Sequence, residues 1–480
     1  MKKIARVNKE ATNYLIYRFM IDIEQYDSSL KISYFDESGQ VVIDRFDIPR
    51  NEMFEWDYCD PKDPKRDPHM MSWDNKPVKK RGARFLSKWR IEEYLSSLPA
   101  ERTANIYSTN TPKKFFVDIE TEVIDGEWPK PETAKFAVTA ISFCTGNKVI
   151  GMGIKPLTAA QIQKISKRIN EYLKEDIEFN YLYFKTEYDM LYSFFYKAIQ
   201  KMPLLTGWNF IGFDWTYLIN RCKRLNIDIS PASMTHKLNG DLEMPAHKLI
   251  VDYLDVYKKW DRVIEIKENN TLDFVAKAAL GIEKVKYPGT LQELYENDFD
   301  TYIFYNAIDT KLVEMIDRKL NTLQTFLTLG NIVKVEASRA YSPIWMAEAA
   351  MSREFLLRNR VFPKMDNSKK KREKYEGAFV VDPLTGLYEW VTSFDFASLY
   401  PSIMRQWNIS PESYLRNVLD KSEVDFENEI LCSSGAVFRK NEDSVFRSIL
   451  TDYYAQRKAS KNTYEEIEQE IDMLKQYIKN

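Results

Sequence analysis

Two acidic residues in the apolar stretch FFVDIETE have the spacing of a metal-binding pair. Asp118 and Glu120 alternate there with Val117 and Ile119. A β-strand sends residues i and i+2 to one face, so the two carboxylates would point together. Carboxylates this close repel one another unless a cation lies between them. An exposed strand face is the alternative explanation, but the apolar neighbours favour a buried strand.

Two further acidic residues could join this pair. Asp214 ends the segment GWNFIGFD directly before a predicted helix, where an N-cap role is the alternative. Asp309 ends YNAID on another predicted helix and shares a face with Tyr305, and a phenol beside a carboxylate can orient a water molecule. Together the four carboxylates are hard oxygen ligands that suit Mg²⁺ or Mn²⁺. Two such ions roughly 4 Å apart would support phosphodiester hydrolysis.

Another carboxylate lies in SFDFASLYPSIMRQWNIS, residues 393–410. Asp395 is surrounded there by apolar and hydroxyl-bearing residues, with no cationic residue close by in the sequence. A carboxylate in such a setting usually holds a metal ion or caps a helix.

The composition of the chain is that of a globular protein with several domains. The 480 residues are 44% hydrophobic and 29% charged, without a continuous apolar run long enough for a membrane span. The N-terminus lacks the apolar core of a secretory signal. The four cysteines are scattered and the histidines are three, so we expect no structural zinc and a reducing, cytoplasmic setting.

The net charge of −2 conceals basic clusters at 76–90, 369–374 and 456–461. Each cluster by itself is explained by a solvated surface. A nucleic-acid-binding protein, however, needs a basic channel rather than a basic total charge.

The elements that must position these residues follow an α/β pattern. Strands and helices alternate after FFVDIETE, which predicts a sheet with helices on its faces. Before it, KISYFD and VVIDRF predict a hairpin around ESGQ, and residues 85–98 predict an amphipathic helix. Residues 376–400 predict a second hairpin with a PLTG turn, and a charged helix is predicted after residue 445.

The motifs DIET (118–121), NFIGFD (209–214) and YNAID (305–309) resemble, in this order, the three proofreading-exonuclease motifs of family B DNA polymerases, most closely those of tailed bacteriophages. The resemblance implies a ribonuclease-H-like 3′→5′ exonuclease fold. It also implies two ions, Mg²⁺ or Mn²⁺, per active site. It assigns metal ligation to Asp118, Glu120, Asp214 and Asp309, and positioning of the attacking water to Tyr305. Phe210 and Phe213 are candidates for stacking on single-stranded 3′ ends.

The resemblance extends to the polymerase motifs. YEGAFV (375–380) is similar to a template-contacting segment of the family, which implies DNA contacts by Tyr375 and Gly377. DFASLYPSI (395–403) is similar to the first polymerase motif, and YYAQRKASK (453–461) to the start of the fingers. The implied roles are metal ligation by Asp395 and the Phe396 carbonyl, triphosphate contacts by the Ser398 and Leu399 N–H groups, sugar contact by Tyr400, and phosphate contacts by Arg457 and Lys461.

The resemblance predicts α/β and α+β domains in a fixed order. The domain assignments are an N-terminal β-rich domain (1–106 and 326–376), the exonuclease (107–325), a partial palm (377–445) and partial fingers (446–480). The interval between Asp214 and Asp252, which carries an extended hairpin in related phage enzymes, is short here.

Nucleotidyl transfer requires a second carboxylate, which the family supplies from an Asp-Thr-Asp hairpin far downstream and which this sequence lacks. We therefore expect a complete exonuclease joined to part of a polymerase site. The expected partners are primer-template DNA, deoxynucleoside triphosphates and a second polypeptide that supplies the rest; a truncated polymerase is the other explanation. A stand-alone exonuclease and a non-catalytic DNA-binding scaffold are the alternative functions.

Overall fold

The computed structural model describes residues 20–103, 111–124, 126–261, 264, 268–283, 285–287, 289–333, 335, 339–363, 380–396 and 398–479. The chain forms two compact units, each built from two segments. The first comprises 1–49 and 97–347, and the second comprises 50–96 and 348–480. The domain boundaries given above stay a prediction.

The strands, in chain order, are β1 (Met20–Tyr26), β2 (Ser29–Phe35), β3 (Val41–Asp47), β4 (Phe54–Tyr58), β5 (Arg66–Ser72), β6 (Pro77–Gly82), β7 (Lys114–Thr121), β8 (Val138–Thr145), β9 (Lys148–Gly153), β10 (Glu178–Tyr183), β11 (Leu204–Gly207), β12 (Leu238–Asn239), β13 (Met244–Pro245), β14 (Leu249–Asp252), β15 (Arg360–Val361), β16 (Tyr414–Asn417), β17 (Glu429–Leu431) and β18 (Ala436–Arg439).

The α-helices are α1 (Lys88–Ser97), α2 (Ala100–Thr103), α3 (Ala159–Leu173), α4 (Glu187–Ser193), α5 (Thr216–Arg224), α6 (Tyr253–Trp260), α7 (Leu272–Leu280), α8 (Leu291–Asn297), α9 (Phe299–Leu320), α10 (Thr322–Ile332), α11 (Pro343–Leu357), α12 (Leu399–Gln406) and α13 (Val445–Lys479). Among the described residues, no helix has both the length and the apolarity needed to cross a bilayer.

The first unit is organised around a six-stranded mixed sheet of order β10-β9-β8-β7-β11-β14. β7, β8 and β9 pair antiparallel, whereas β10 joins β9, and β11 and β14 extend from β7, in parallel. The predicted α/β sheet with helices on its faces is confirmed. β7, which carries the DIET motif, lies in the interior of this sheet.

Both faces of the central strands are covered. Val117 and Ile119 of β7 belong to the main hydrophobic core, which also contains Trp215 and Tyr217. On the opposite face, hydroxyl groups of β8 join the sheet to α9: Ser142 Oγ donates to the Asn306 carbonyl at 3.0 Å, and Thr139 Oγ1 lies 2.6 Å from the Tyr302 hydroxyl oxygen. These contacts fix the position of α9 over β7 and β8.

The tight approach of β11 to β7 depends on Gly207. A Cβ atom at this position would lie 2.3 Å from the Val117 carbonyl oxygen, which is closer than non-bonded atoms approach. A side chain there would push β11 away from β7. The segment that follows β11 would then also move away from β7.

The N-terminal strands form an antiparallel sheet of order β1-β2-β3, which confirms the hairpin predicted around ESGQ. A buried polar group attaches this sheet to the segment before β14. His247 Nδ1 lies 2.9 Å from Ser33 Oγ, and His247 Nε2 lies 3.3 Å from Glu24 Oε2. The predicted shortness of the hairpin between Asp214 and Asp252 is also confirmed, because β12 and β13 are two residues each.

The second unit contains two small sheets, of order β15-β5-β6-β4 and β16-β18-β17. The helix predicted after residue 445 is confirmed as α13. Its first turn is held by buried side chains: Asn408 Oδ1 accepts from the Ser444 N–H at 2.9 Å, and Glu412 Oε1 accepts from the Val445 N–H at 2.6 Å. α12 also contacts α13, with the Arg405 guanidinium 5.1 Å from the Tyr454 ring.

The hairpin predicted for residues 376–400 is wrong for residues 380–396, the part of it that the structure describes before α12. No strand forms there. The apolar side chains of this stretch are largely exposed, with Leu387 at 98% and Trp390 at 96%. Burial of such side chains is what stabilises a hairpin, and in this stretch that burial is missing.

A substitution at Phe210 tests the core of the first unit. Phe210 is fully buried and packs in the main core with Trp215. Phe210→Ala is expected to lower the free energy of unfolding by about 3–5 kcal/mol, because a large buried side chain leaves a cavity. Denaturant titration measures this change, and Phe213→Ala, which removes a half-buried ring, should cost less. Equal losses of unfolding free energy for the two variants would contradict the placement of Phe210, but not Phe213, in the fully buried core.

Candidate functional site

The sheet places Asp118 and Glu120 on the face that α9 covers. Asp118 is half-buried and Glu120 is buried. Asn306 of α9 donates a hydrogen bond from its Nδ2 to Asp118 Oδ2 at 2.7 Å. The two carboxylates are therefore not on an exposed strand face, which was the alternative for this motif.

Asp214, the last residue of the second motif, also contacts β7. It lies in a π-helical turn, Ile211–Trp215, that directly precedes α5, and the Trp215 N–H donates to the Phe210 carbonyl at 2.7 Å. Asp214 Oδ1 accepts a hydrogen bond from the Ile119 N–H at 3.0 Å. This bond attaches Asp214 to β7 between the two acidic residues, a contact that an N-cap role does not explain. Such π-turns are frequent at functional sites.

Asp309 and Tyr305 lie in the middle of α9. Both side chains are buried, as is Asp214, with exposures of 8% or less for all three. The Tyr305 ring packs edge-on against Tyr287, with centroids 5.2 Å apart. A buried helix interior thus supplies the third motif of the set.

Electrostatic effects connect the four carboxylates. Burial, and next the charge of Asp118, raise the pKa of Asp214 well above its usual value. Burial also raises the pKa of Tyr305, followed by the charges of Asp309, Glu120 and Asp118. The Tyr305 hydroxyl is therefore protonated at neutral pH and lies in the field of three carboxylates.

The four carboxylates suit a hard cation such as Mg²⁺, because they offer oxygen ligands and no thiolate or imidazole. Within the part of the chain that the structure describes, however, no group of three or more His, Cys, Asp or Glu side chains is arranged to hold a metal ion. One oxygen of Asp118 accepts from Asn306 and one of Asp214 accepts from the Ile119 N–H. The ligand roles of the four carboxylates stay predictions.

Sequence reasoning missed Asn306 as part of this site. It lies within YNAID, directly after Tyr305, and is almost completely buried. The signal was available, because an amide on an otherwise buried helix face must find a hydrogen-bonding partner.

The two candidate stacking residues differ in position. Phe210 has no exposed surface, so it cannot contact a base in this conformation. Phe213 is half-buried and stacks on Tyr217 at a centroid distance of 5.7 Å. We retain only Phe213 as a candidate DNA contact.

The second set of candidate residues surrounds the start of α12. Asp395, Phe396 and Tyr400 are exposed. Ser398 has a left-handed backbone conformation with φ of 52° and directly precedes α12. A non-glycine residue in this region is uncommon and is often found at functional sites. The first N–H groups of a helix lack partners within it and favour anions.

Arg457 and Lys461 lie on the exposed part of α13, four residues apart and therefore on one face. Lys461 Nζ lies 3.4 Å from Glu465 Oε1. The two remaining candidates, Tyr375 and Gly377, lie outside the described residues.

Comparisons with known proteins match both parts of the chain. A profile described as "DNA polymerase family B, exonuclease domain" matches residues 68–246, and one described as "DNA polymerase family B" matches residues 345–478. The chain belongs to the family B DNA polymerases. The first match contains Asp118, Glu120 and Asp214, and the second contains Asp395.

Several curated relatives align with most of the chain. The "DNA-directed DNA polymerase" of Escherichia phage RB69 is 28% identical over 398 residues, covering 76% of this chain and 43% of the relative. That of Enterobacteria phage T4 is 27% identical over 394 residues, covering 75% and 43%. "DNA polymerase 1" of Sulfurisphaera ohwakuensis is 28% identical over 404 residues, covering 78% and 44%. The chain thus spans less than half the length of these curated relatives.

Asp214→Asn tests the electrostatic description of the site. The raised pKa means that Asp214 lowers the stability of the fold at pH values above the ordinary aspartate pKa of about 3.9, because the unfolded side chain ionises there and the fold disfavours the charge. The asparagine retains an acceptor for the Ile119 N–H but has no charge. We therefore expect the melting temperature at pH 7 to rise by a few degrees, and this gain to disappear as the pH falls towards about 4.

Thermal unfolding at several pH values measures this effect. Asp241→Asn, at an exposed position in the β12–β13 loop, is the matched control. A lower melting temperature for Asp214→Asn at pH 7 would show that the charge of Asp214 stabilises the fold, which contradicts the prediction.

Proposed function

We propose that this chain shortens DNA from its 3′ end as a 3′→5′ exonuclease and also carries part of a DNA-polymerising site. One observation carries the exonuclease proposal. Asp214 and the YNAID motif of α9 both contact β7 next to Asp118, in a protein of this polymerase family. Phosphodiester hydrolysis is the chemistry that a buried set of carboxylates beside a neutral phenol supports best.

The residues of the chain have distinct roles in this proposal. Tyr305 stays protonated, so its hydroxyl can hold the attacking water by a hydrogen bond while nearby carboxylates favour removal of the water's proton. Asn306 and the Ile119 N–H hold Asp118 and Asp214 in place, so the site is organised before the substrate binds.

Mg²⁺ or Mn²⁺ would be held by Asp118, Glu120, Asp214 and Asp309, and two bound ions would supply a more acidic water and neutralise the leaving 3′ oxygen. The substrate would be a single-stranded 3′ end. Phe213 is the aromatic side chain we propose for stacking on its bases.

Asp118→Ala tests the exonuclease. The full chain is incubated with a 5′-labelled single-stranded oligonucleotide and Mg²⁺, and the products are separated by length. We expect wild type to shorten the oligonucleotide from its 3′ end and Asp118→Ala to be slower by about 100-fold or more, since loss of an outer-shell partner already costs 10–100-fold. Asp241→Ala should match wild type. Unchanged shortening by Asp118→Ala would refute the proposal.

For the polymerising site we propose that Asp395 and the Phe396 carbonyl hold a metal ion, and that the Ser398 and Leu399 N–H groups bind the triphosphate. Tyr400 would contact the sugar. The left-handed Ser398 before α12 supports this assignment, because it turns the chain into the helix N-terminus where anions bind. The phosphates would also contact Arg457 and Lys461 of α13.

Nucleotidyl transfer requires a second carboxylate in addition to Asp395. We propose that it belongs to the part of the polymerase that the relatives carry outside their aligned 43%. We propose that a second polypeptide supplies this part.

Nucleotide binding and primer extension test the second site. Arg457→Ala and Lys461→Ala should each weaken binding of a fluorescent deoxynucleoside triphosphate, whereas Lys475→Ala, further along α13, should not. On a primer-template with Mg²⁺ and all four nucleotides, the 480 residues should shorten the primer without extending it. Extension that is lost in Asp395→Ala would show that the second carboxylate lies within these residues.

A further inference from the structure

Asp252 lies directly behind the turn that carries Asp214. It is the last residue of β14, where it pairs with Gly207 of β11, and its side chain is buried, with 3% of the residue exposed. No motif in the sequence assigns a role to it.

The Asp252 carboxylate binds backbone N–H groups of two different segments. Its Oδ2 accepts hydrogen bonds from the Ile211 N–H at 2.9 Å and from the Gly212 N–H at 3.4 Å. Its Oδ1 accepts from the Leu254 N–H at 3.0 Å, which makes it the N-cap of α6. Both oxygens thus contact the backbone.

Ile211 and Gly212 begin the π-helical turn that contains Asp214. The N–H groups at the start of such a turn have no acceptor within it, so an external acceptor determines where the turn starts. Asp214 follows Gly212 by two residues, and its Oδ1 is attached to the Ile119 N–H. The turn is therefore fixed at both ends, to β14 by Asp252 and to β7 by Asp214 itself.

Asp252 is in turn held by Tyr341. The Asp252 N–H donates to the Tyr341 hydroxyl oxygen at 2.7 Å, and that hydroxyl donates to the Asp252 carbonyl at 3.4 Å. The Tyr341 ring packs on Phe326 of α10, with centroids 4.9 Å apart.

We propose that Asp252 is a positioning residue for Asp214 in the exonuclease site, and that Tyr341 supports it. This inference rests on the proposed exonuclease function. Asp252 would not ligate an ion itself, since its oxygens accept from Ile211, Gly212 and Leu254.

The test uses the full chain and two readouts. Mn²⁺ binding without DNA is measured by electron paramagnetic resonance of the free ion, and shortening of a labelled oligonucleotide is measured as a function of Mn²⁺ concentration. Asp252→Ala is expected to weaken Mn²⁺ binding by about 10–100-fold, as loss of an outer-shell partner does, with the exonuclease rate partly recovered at high Mn²⁺.

Three further variants separate positioning from other roles. Asp252→Asn keeps one acceptor and should lose less Mn²⁺ affinity than Asp252→Ala. Tyr341→Phe leaves the carboxylate and should also cause a smaller loss. Asp255→Asn, at an exposed position on α6, is the control and should bind as wild type does. The asparagine and phenylalanine variants keep the test open where Asp252→Ala does not fold.

Two results would overturn the inference. Wild-type Mn²⁺ binding in a less stable Asp252→Ala would make Asp252 a structural cap of α6 only. Equal losses for the asparagine and alanine variants would mean that its charge, rather than its hydrogen bonds, is what acts. Asp118→Ala separates these two results from a failure of the proposed exonuclease function. If Asp118→Ala abolishes the activity while Asp252→Ala binds Mn²⁺ as wild type does, the exonuclease proposal stands and only the positioning role of Asp252 is refuted.

Discussion

The repulsion among buried carboxylates is the constraint on which the first unit of this protein depends. Asp214 and Asp309 are buried, and burial, followed by the charge of Asp118, raises the pKa of Asp214. Selection for stability alone would not favour placing these like charges together, because burial removes hydration from each carboxylate and the charges repel one another. The fold offsets part of this cost with hydrogen bonds from neutral donors, the Ile119 N–H and the Asn306 amide. Neutral donors hold the carboxylates without cancelling the negative charge that a cation would require.

The surrounding architecture keeps these donors in place. Hydroxyl groups of β8 attach α9 to the sheet, and this attachment determines how Asn306 meets Asp118. The close approach of β11 to β7 at Gly207 brings the following turn to β7, where Asp214 reaches the Ile119 N–H. The site is therefore built from regular elements with a packed core behind them, which suits chemistry that depends on fixed geometry.

The second set of residues follows a different physical principle. Asp395, Phe396 and Tyr400 are exposed, and the stretch before them exposes large apolar side chains. What is fixed here is the backbone: Ser398 turns into α12, while Asn408 and Glu412 hold the first turn of α13. Within the second unit, these contacts orient the helices that carry the proposed nucleotide contacts, while the side chains themselves extend from the surface.

The sequence alone determined the family, the α/β sheet and the strand that brings Asp118 and Glu120 to one face, because strand alternation and short motifs are local properties. It did not determine that residues 380–396 form no hairpin, since apolar alternation predicts a strand whether or not another element buries it. Nor did it separate buried Phe210 from half-buried Phe213, three residues apart in one motif. Asn306 and Asp252 gained their meaning only from the tertiary structure, because their hydrogen-bonding partners, Asp118 and the Ile211 N–H, are distant in the chain and meet only when the sheet has formed.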